Sequence, residues 1–365
     1  MTSSDTEAPG EPADSAGGRR RERFIALALL CGSTLFALLA AELGVRLMYA
    51  DVSTTTGDPV SWWARRWRQA NPIRRNALGY REDEIGEKDP DVYRIVVIGD
   101  SFTQGQGIPV EDRLTDLLEA RLARDRERPR YEVLNFGRSG AASDDHLVIL
   151  REDALGVSPD FVLLQWFVND VEALDDAPAG EYLRLVPSDR VTGWLRRHSA
   201  LFYFANRAWR RVQVELGRVE SYDDYVARAF ADPEGEPWRR VEARLREFAG
   251  TVEDRSIPMG IVLFPSLTDV EGDPDAYPNG FVIDHVLGFC ERAGLHCVDL
   301  RETFADIEPA SSLWASRLDS HPGGEANLLA MEALLDAFGE EWEAAGSAST
   351  RAGSSGPVRG SSGGR

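Results

Sequence analysis

Residues 95–98, Ile-Val-Val-Ile, form an apolar, β-branched run with no polar alternation. That pattern suits a strand buried on both faces of a parallel sheet better than a half-exposed one. Gly99 ends the run, and the segment 112–122 then places Leu114, Leu117, Leu118 and Leu122 on one helical face. The alternation continues along the chain, with strands predicted at 131–135, 161–166, 259–264 and 296–300. Helices are predicted at 143–155, 237–254, 280–292 and 325–342, with Pro237 suited to a first helical turn. Repeated βα units predict an α/β fold: a three-layer αβα sandwich on a central, mostly parallel sheet of about five strands.

The ends of the chain follow other patterns. Residues 1–23 are rich in Ser, Glu, Asp, Gly and Pro, close on Arg19, Arg20, Arg21 and Arg23, and are expected to be disordered. Residues 24–41 contain no charge and span roughly 27 Å as a helix. This segment reads as a transmembrane helix or signal anchor, arginines inside and the folded part outside the cytoplasm; a cleaved signal peptide is the alternative. Residues 42–92 read as a juxtamembrane linker and leader. Within them Trp62, Trp63 and Trp67 fit either an interfacial belt or packing beneath the domain, and Arg65, Arg66 and Arg68 weaken the charge asymmetry across the segment.

The folded domain is expected at 93–345, followed by a flexible Gly-, Ser- and Arg-rich tail at 346–365. An insertion at 171–236 is too long for a simple crossover. Its middle carries Leu195, Leu201, Phe202, Tyr203, Phe204, Trp209 and Val212 among arginines, and reads either as a lid or as helices packed on the core.

Charge narrows the partners. A formal net charge of −20 argues against nucleic acid and against whole-molecule adhesion to an anionic bilayer, leaving a neutral partner or one met by a local patch. Of the cysteines, Cys31 lies in the apolar segment, while Cys290 and Cys297 are either a disulfide or two buried thiols. No spacing suggests a metal site, and no cofactor is called for.

Ser101 lies in the crossover between the first strand and its helix, where α/β sheets place their active sites. A serine hydroxyl is a poor nucleophile until a base takes its proton, and histidine titrates in the right range. Five histidines are available: His146, His198, His285, His296 and His321. His321 is the candidate base, because it precedes Pro322-Gly323-Gly324 in an irregular loop and stands two residues after Asp319. Asp319 is then the carboxylate that orients the imidazole, unless it merely caps the last helix and Ser101 and His321 act as a dyad. A Gly-x-Ser-x-Gly sequence occurs at 360–364, in the tail with no strand before it.

Four blocks in order, Gly99-Asp100-Ser101-Phe102, Asn135-Phe136-Gly137-Arg138-Ser139-Gly140, Val168-Asn169-Asp170 and Asp319-Ser320-His321-Pro322, resemble those of the GDSL or SGNH hydrolase superfamily. The leader Asn76-Ala77-Leu78-Gly79-Tyr80-Arg81 is similar to that of its membrane-tethered bacterial members. In the commonest family spacing the acid stands three positions before the histidine, where this chain has Leu318. The resemblance implies a serine ester hydrolase working through an acyl-enzyme, with oxyanion donors at Ser101, Gly137 and Asn169. The implied substrate is an acyl ester, an O-acetyl group foremost, of a surface glycan, lipid or small molecule. The alternatives are an O-acyltransferase acting on an extracytoplasmic polysaccharide and a non-catalytic binding protein on the same frame. The expected location is the cell membrane, through one pass at 24–41.

Overall fold

The computed structural model describes residues 15–50, 52, 60–70, 72–124, 130–171 and 189–354. The expectations for residues 1–14, 172–188 and 355–365 lie outside the described residues. In chain order the first elements are α1 (Ser15–Met48), α2 (Trp62–Ala70), β1 (Val92–Gly99), α3 (Ser101–Gln104), α4 (Leu114–Leu122), β2 (Arg130–Gly137), α5 (Ser143–Glu152) and β3 (Phe161–Phe167). The insertion forms α6 (Asp189–His198), α7 (Ala200–Glu215) and α8 (Tyr222–Ala229). The chain closes with α9 (Glu236–Glu253), β4 (Met259–Phe264), α10 (Gly280–Ala293), β5 (His296–Asp299), α11 (Arg301–Ala305), β6 (Trp314–Ser316), β7 (Asp319–Pro322) and α12 (Gly324–Ser354).

The first five strands form one parallel sheet in the order β2-β1-β3-β4-β5. The unbroken apolar runs follow from burial on both faces. Val96, Ile98, Val162, Leu164, Ile261 and Leu263 point into a core shared with α5, α9 and α10. Ile95, Val97, Phe161, Leu163, Val262 and Phe264 point into a second core shared with α4, α11 and α12. This is the expected three-layer sandwich. Chain order reverses at β1, with β2 on one side and β3 on the other, and the crevice beyond the carboxyl ends of β1 and β3 is where such sheets bind ligands.

Several boundaries differ from the sequence reading. The last helix runs on to Ser354, into the stretch expected to be a flexible tail, because residues 340–348 are rich in Ala and Glu and no proline interrupts the helix. At the other end Ser15 to Arg23, expected to be disordered, is the first part of α1. His321 lies in a short antiparallel hairpin, β6–β7, instead of an irregular loop. Cys290 and Cys297 are bonded, joining the end of α10 to β5.

Among the described residues one helix, within Gly18–Met48, is long and apolar enough to cross a membrane, and its apolar window is not buried by the rest of the chain. Trp63 and Trp67 are not an interfacial belt: both are buried, and Trp63 donates from Nε1 to Ala200 O (3.3 Å) beside Tyr203 and Phe204. The insertion therefore packs, through α6 and α7, on α2 and the end of α1.

Candidate active site

The site is built at the end of β1. Asp100 caps α3 by accepting the Phe102 N–H (2.8 Å), which turns the chain sharply and lifts Ser101 onto the carboxyl rim of the sheet. A helix this short cannot hold itself, so buried polar groups hold it. Gln165, the polar position within the apolar β3, accepts from Thr103 N (3.2 Å) and Thr103 Oγ1 (2.8 Å). Asn135 of β2 donates to Thr103 O (2.6 Å) and Thr115 Oγ1 (3.0 Å). Arg81 donates to Gly105 O (2.5 Å) and Ile108 O (2.8 Å), clamping the turn that follows. Burial and the neighbouring Arg113 push the Arg81 guanidinium down to about 10, so it remains charged at neutral pH. Neither Gln165 nor the Arg81 clamp was anticipated. The signals were present, in a lone amide inside an apolar strand and in the arginine that ends the leader.

His321 is brought to Ser101 from the far end of the chain by the β6–β7 hairpin. Its Nε2 lies 3.0 Å from Ser101 Oγ, and its Nδ1 lies 2.6 Å from Asp319 Oδ1. Asp319 is fully buried and also accepts the His321 backbone N–H (3.3 Å). It sits on β7, outside the first turn of α12, so the helix-capping alternative does not describe its contacts. Phe102 packs edge-on against the imidazole, centroids 5.5 Å apart, and is itself packed at a tilt against Phe167, centroids 4.2 Å apart. Serine, imidazole and carboxylate thus form one hydrogen-bonded line across 220 residues of sequence.

The two other expected donors differ in their situation. Asn169, in the turn after β3, is half-buried and donates from Nδ2 to Asp100 Oδ2 (3.4 Å), which puts its amide beside Ser101. Burial pushes the Asp100 carboxyl above its ordinary range, against the opposing pull of the Phe102 N–H and His321. The Gly137 N–H is already committed, donating to Asn135 Oδ1 at 3.0 Å, so the expectation of an oxyanion donor there is corrected. What Gly137 supplies is space: a Cβ there would stand 2.2 Å from Gln104 N and 2.6 Å from Thr103 C. Gly137→Ala is expected to destabilise the protein by at least about 2 kcal/mol in urea denaturation, because the obstructing atoms are backbone and cannot swing aside. Gly140 in the same loop has φ +78° and nothing within 4 Å of the missing side chain.

The remaining histidines are structural or peripheral. His285 stacks on Trp238 and bonds to Glu242 (3.0 Å), His296 packs on Phe338, and His198 stacks on Trp194 in the insertion. His146 is buried under the Asn169 turn, 3.9 Å from Asp170 Oδ2, and neither ring nitrogen has a hydrogen-bond partner among the described residues. Burial first, and then Arg138, push it down to about 3 from an ordinary 6.5. The unfolded chain therefore binds a proton below pH 6.5 that the folded chain refuses until about pH 3. Stability from this group is full above pH 6.5 and falls on acidification. Between pH 7 and pH 5 His146 alone is expected to lower the unfolding free energy by about 2 kcal/mol, and the pH slope of His146→Leu should be flatter by that amount.

A parallel sandwich carries a serine, an imidazole and a buried carboxylate in line at the switch point, the arrangement that serine-type hydrolases use. Residues 97–327 match the model of the GDSL-like lipase/acylhydrolase family. The chain belongs to that family and is an ester-bond hydrolase. Solved structures similar to it include LAE5, an alpha/beta hydrolase enzyme from the metagenome of Lake Arreo, Spain (22% identity, 68% of this chain and 95% of that one, TM-score 0.39). A catalytic mutant of the acetylxylan esterase Axe2 from Geobacillus stearothermophilus is 18% identical over 68% of this chain and 95% of its own, TM-score 0.39. The lipase/acylhydrolase from Enterococcus faecalis is 14% identical over 68% and 96%, TM-score 0.39. A search of curated proteins returned no match.

Proposed function

We propose that the protein hydrolyses an acyl ester through an acyl-enzyme on Ser101, with His321 as general base and then acid and Asp319 as the carboxylate that orients it. The observation that carries this reading is the pair of distances about the imidazole, 3.0 Å to Ser101 Oγ and 2.6 Å to Asp319 Oδ1. Ser101 Oγ bonds to the acyl carbon while its proton passes to Nε2. The C–O bond to the alcohol breaks, and the alcohol leaves with that proton. Water repeats the sequence on the acyl-serine, releasing the acid and free Ser101.

The developing oxyanion is met by the Ser101 N–H and by Asn169 Nδ2. We place the third donor at the Gly140 N–H, which has no internal acceptor among the described residues. Asn169→Ala is expected to lower kcat by about 10²- to 10³-fold with little change in KM, measured by steady-state kinetics on an aryl acetate.

The favoured substrate is a short acyl ester, an O-acetyl group on a glycan, lipid or small molecule. Phe102 against the imidazole, with Phe167 packed on Phe102, supports a short acyl group. With α1 as an uncleaved single-pass anchor the catalytic domain stands outside the cytoplasm. The Cys290–Cys297 disulfide supports an oxidising compartment. The bonds from Glu42 at the end of α1 to Ser199, Ala200 and Leu201 support retention of α1 in the mature chain. Product analysis on an acetyl ester, with and without a glycan acceptor, tests the reaction. Free acetate in both cases is the expected result; acetate transferred to the acceptor would make the enzyme an O-acyltransferase.

A further inference from the structure

The whole-chain charge speaks against an anionic surface, but around the end of α1 the sign reverses. Helices α2, α6 and α7 carry nine arginines against two acidic residues, in a chain of net charge −20. Two of these arginines spend their bonds on backbone carbonyls, Arg65 on Arg197 O and Arg66 on Ala50 O, contacts that bring no neutralising charge.

Helix α6 has a face that stands exposed among the described residues. Arg190, Val191, Trp194, Arg197 and His198 recur at helical spacing and are all exposed, Val191 at 50% and Trp194 at 60%, while Thr192 between them is buried. An exposed tryptophan and valine flanked by arginines is the pattern of a helix lying in a bilayer interface, its apolar side chains among the headgroups and its cations on phosphate.

The position of this face fits. The charge-free run of α1 ends at Ala41, and the next residue, Glu42, caps the start of α7 by accepting from Ala200 N and Leu201 N at 2.9 Å each. One turn further on, Arg46 donates to His198 O, the last residue of α6, at 2.6 Å. The end of α6 is thereby fixed within about one helical turn, roughly 5 Å, of the level at which α1 would leave the hydrocarbon. The same end of α1 reaches the catalytic hairpin, where Arg317, two residues before Asp319, lies over the Tyr49 ring (5.1 Å).

We infer that the exposed face of α6 binds the anionic phospholipid headgroups of the leaflet from which α1 emerges, holding the rim that carries Ser101 at the membrane surface. The inference rests on the reading of α1 as a retained anchor. It makes the enzyme one that meets its ester at the bilayer.

The test uses the full chain with Cys31→Ser, reconstituted in nanodiscs of phosphatidylcholine with or without phosphatidylglycerol. A single environment-sensitive label is placed at Val191→Cys, or at Glu253→Cys on the opposite rim as the control. Quenching by headgroup-level spin-labelled lipid is expected to be several-fold stronger at 191 than at 253, to require phosphatidylglycerol, and to be lost in Arg190→Glu/Arg197→Glu. Quenching at 191 no greater than at 253, or equal in the two lipid mixtures, would overturn the inference. Turnover of a soluble aryl acetate on the same samples separates the claims. Normal turnover without quenching removes the docking surface alone, whereas quenching without turnover leaves docking intact and removes the proposed acyl-enzyme on Ser101.

Discussion

Replacing Ser101 by alanine is expected to lower kcat on an aryl acetate by on the order of 10⁵- to 10⁶-fold, leaving the thermal unfolding midpoint within a few degrees of the parent. The size follows from the role. Removing Oγ removes the atom that bonds to the acyl carbon, and the remaining donors can assist only attack by water. The fold should tolerate the change, because the groups that hold α3, namely Gln165, Asn135 and Arg81, bond to Thr103 and to main-chain atoms and make no use of the serine hydroxyl. Equal turnover by parent and variant would show that Ser101 is not the nucleophile.

Asp319→Asn is expected to cost about 10⁴-fold in kcat with KM little altered. A carboxylate accepts from Nδ1–H and so leaves Nε2 free to take the serine proton; an amide can donate to Nδ1 and favour the opposite tautomer. The buried position of Asp319 leaves no water to stand in for the lost charge. The two-residue spacing from His321, shorter than the commonest family pattern, is accommodated because the carboxylate and the ring lie on one short strand, β7. A loss of less than about tenfold would reduce the machinery to a dyad of Ser101 and His321.

Much of this was legible in the sequence for a physical reason. Strands buried on both faces leave unbroken apolar runs, so β1, β3 and β4 announce themselves, and the reversal of strand order at β1 puts Ser101 and Asn169 on one rim. Other features depend on contacts between distant segments. The helix α3 is held by Gln165 and Arg81, 62 and 23 or more positions away, and no local propensity reports it. The β6–β7 hairpin is too short to leave a periodic pattern. Gly137 looked like a donor because a glycine at a strand end suggests close approach. The approach is real, but the neighbour is Gln104, and the N–H is taken by Asn135 two residues back. Trp63 and Trp67, in arginine-rich sequence, read equally well as a membrane belt until α7 is seen to cover Trp63.

The central claim is that one hydroxyl, that of Ser101, is activated by His321. The most direct measurement is the intact mass and peptide map of the full chain after treatment with a fluorophosphonate. One adduct per chain, on Ser101, is predicted, with its rate of formation lowered by orders of magnitude in His321→Ala. An adduct at another residue, or ester turnover that survives complete labelling of Ser101, would contradict the account.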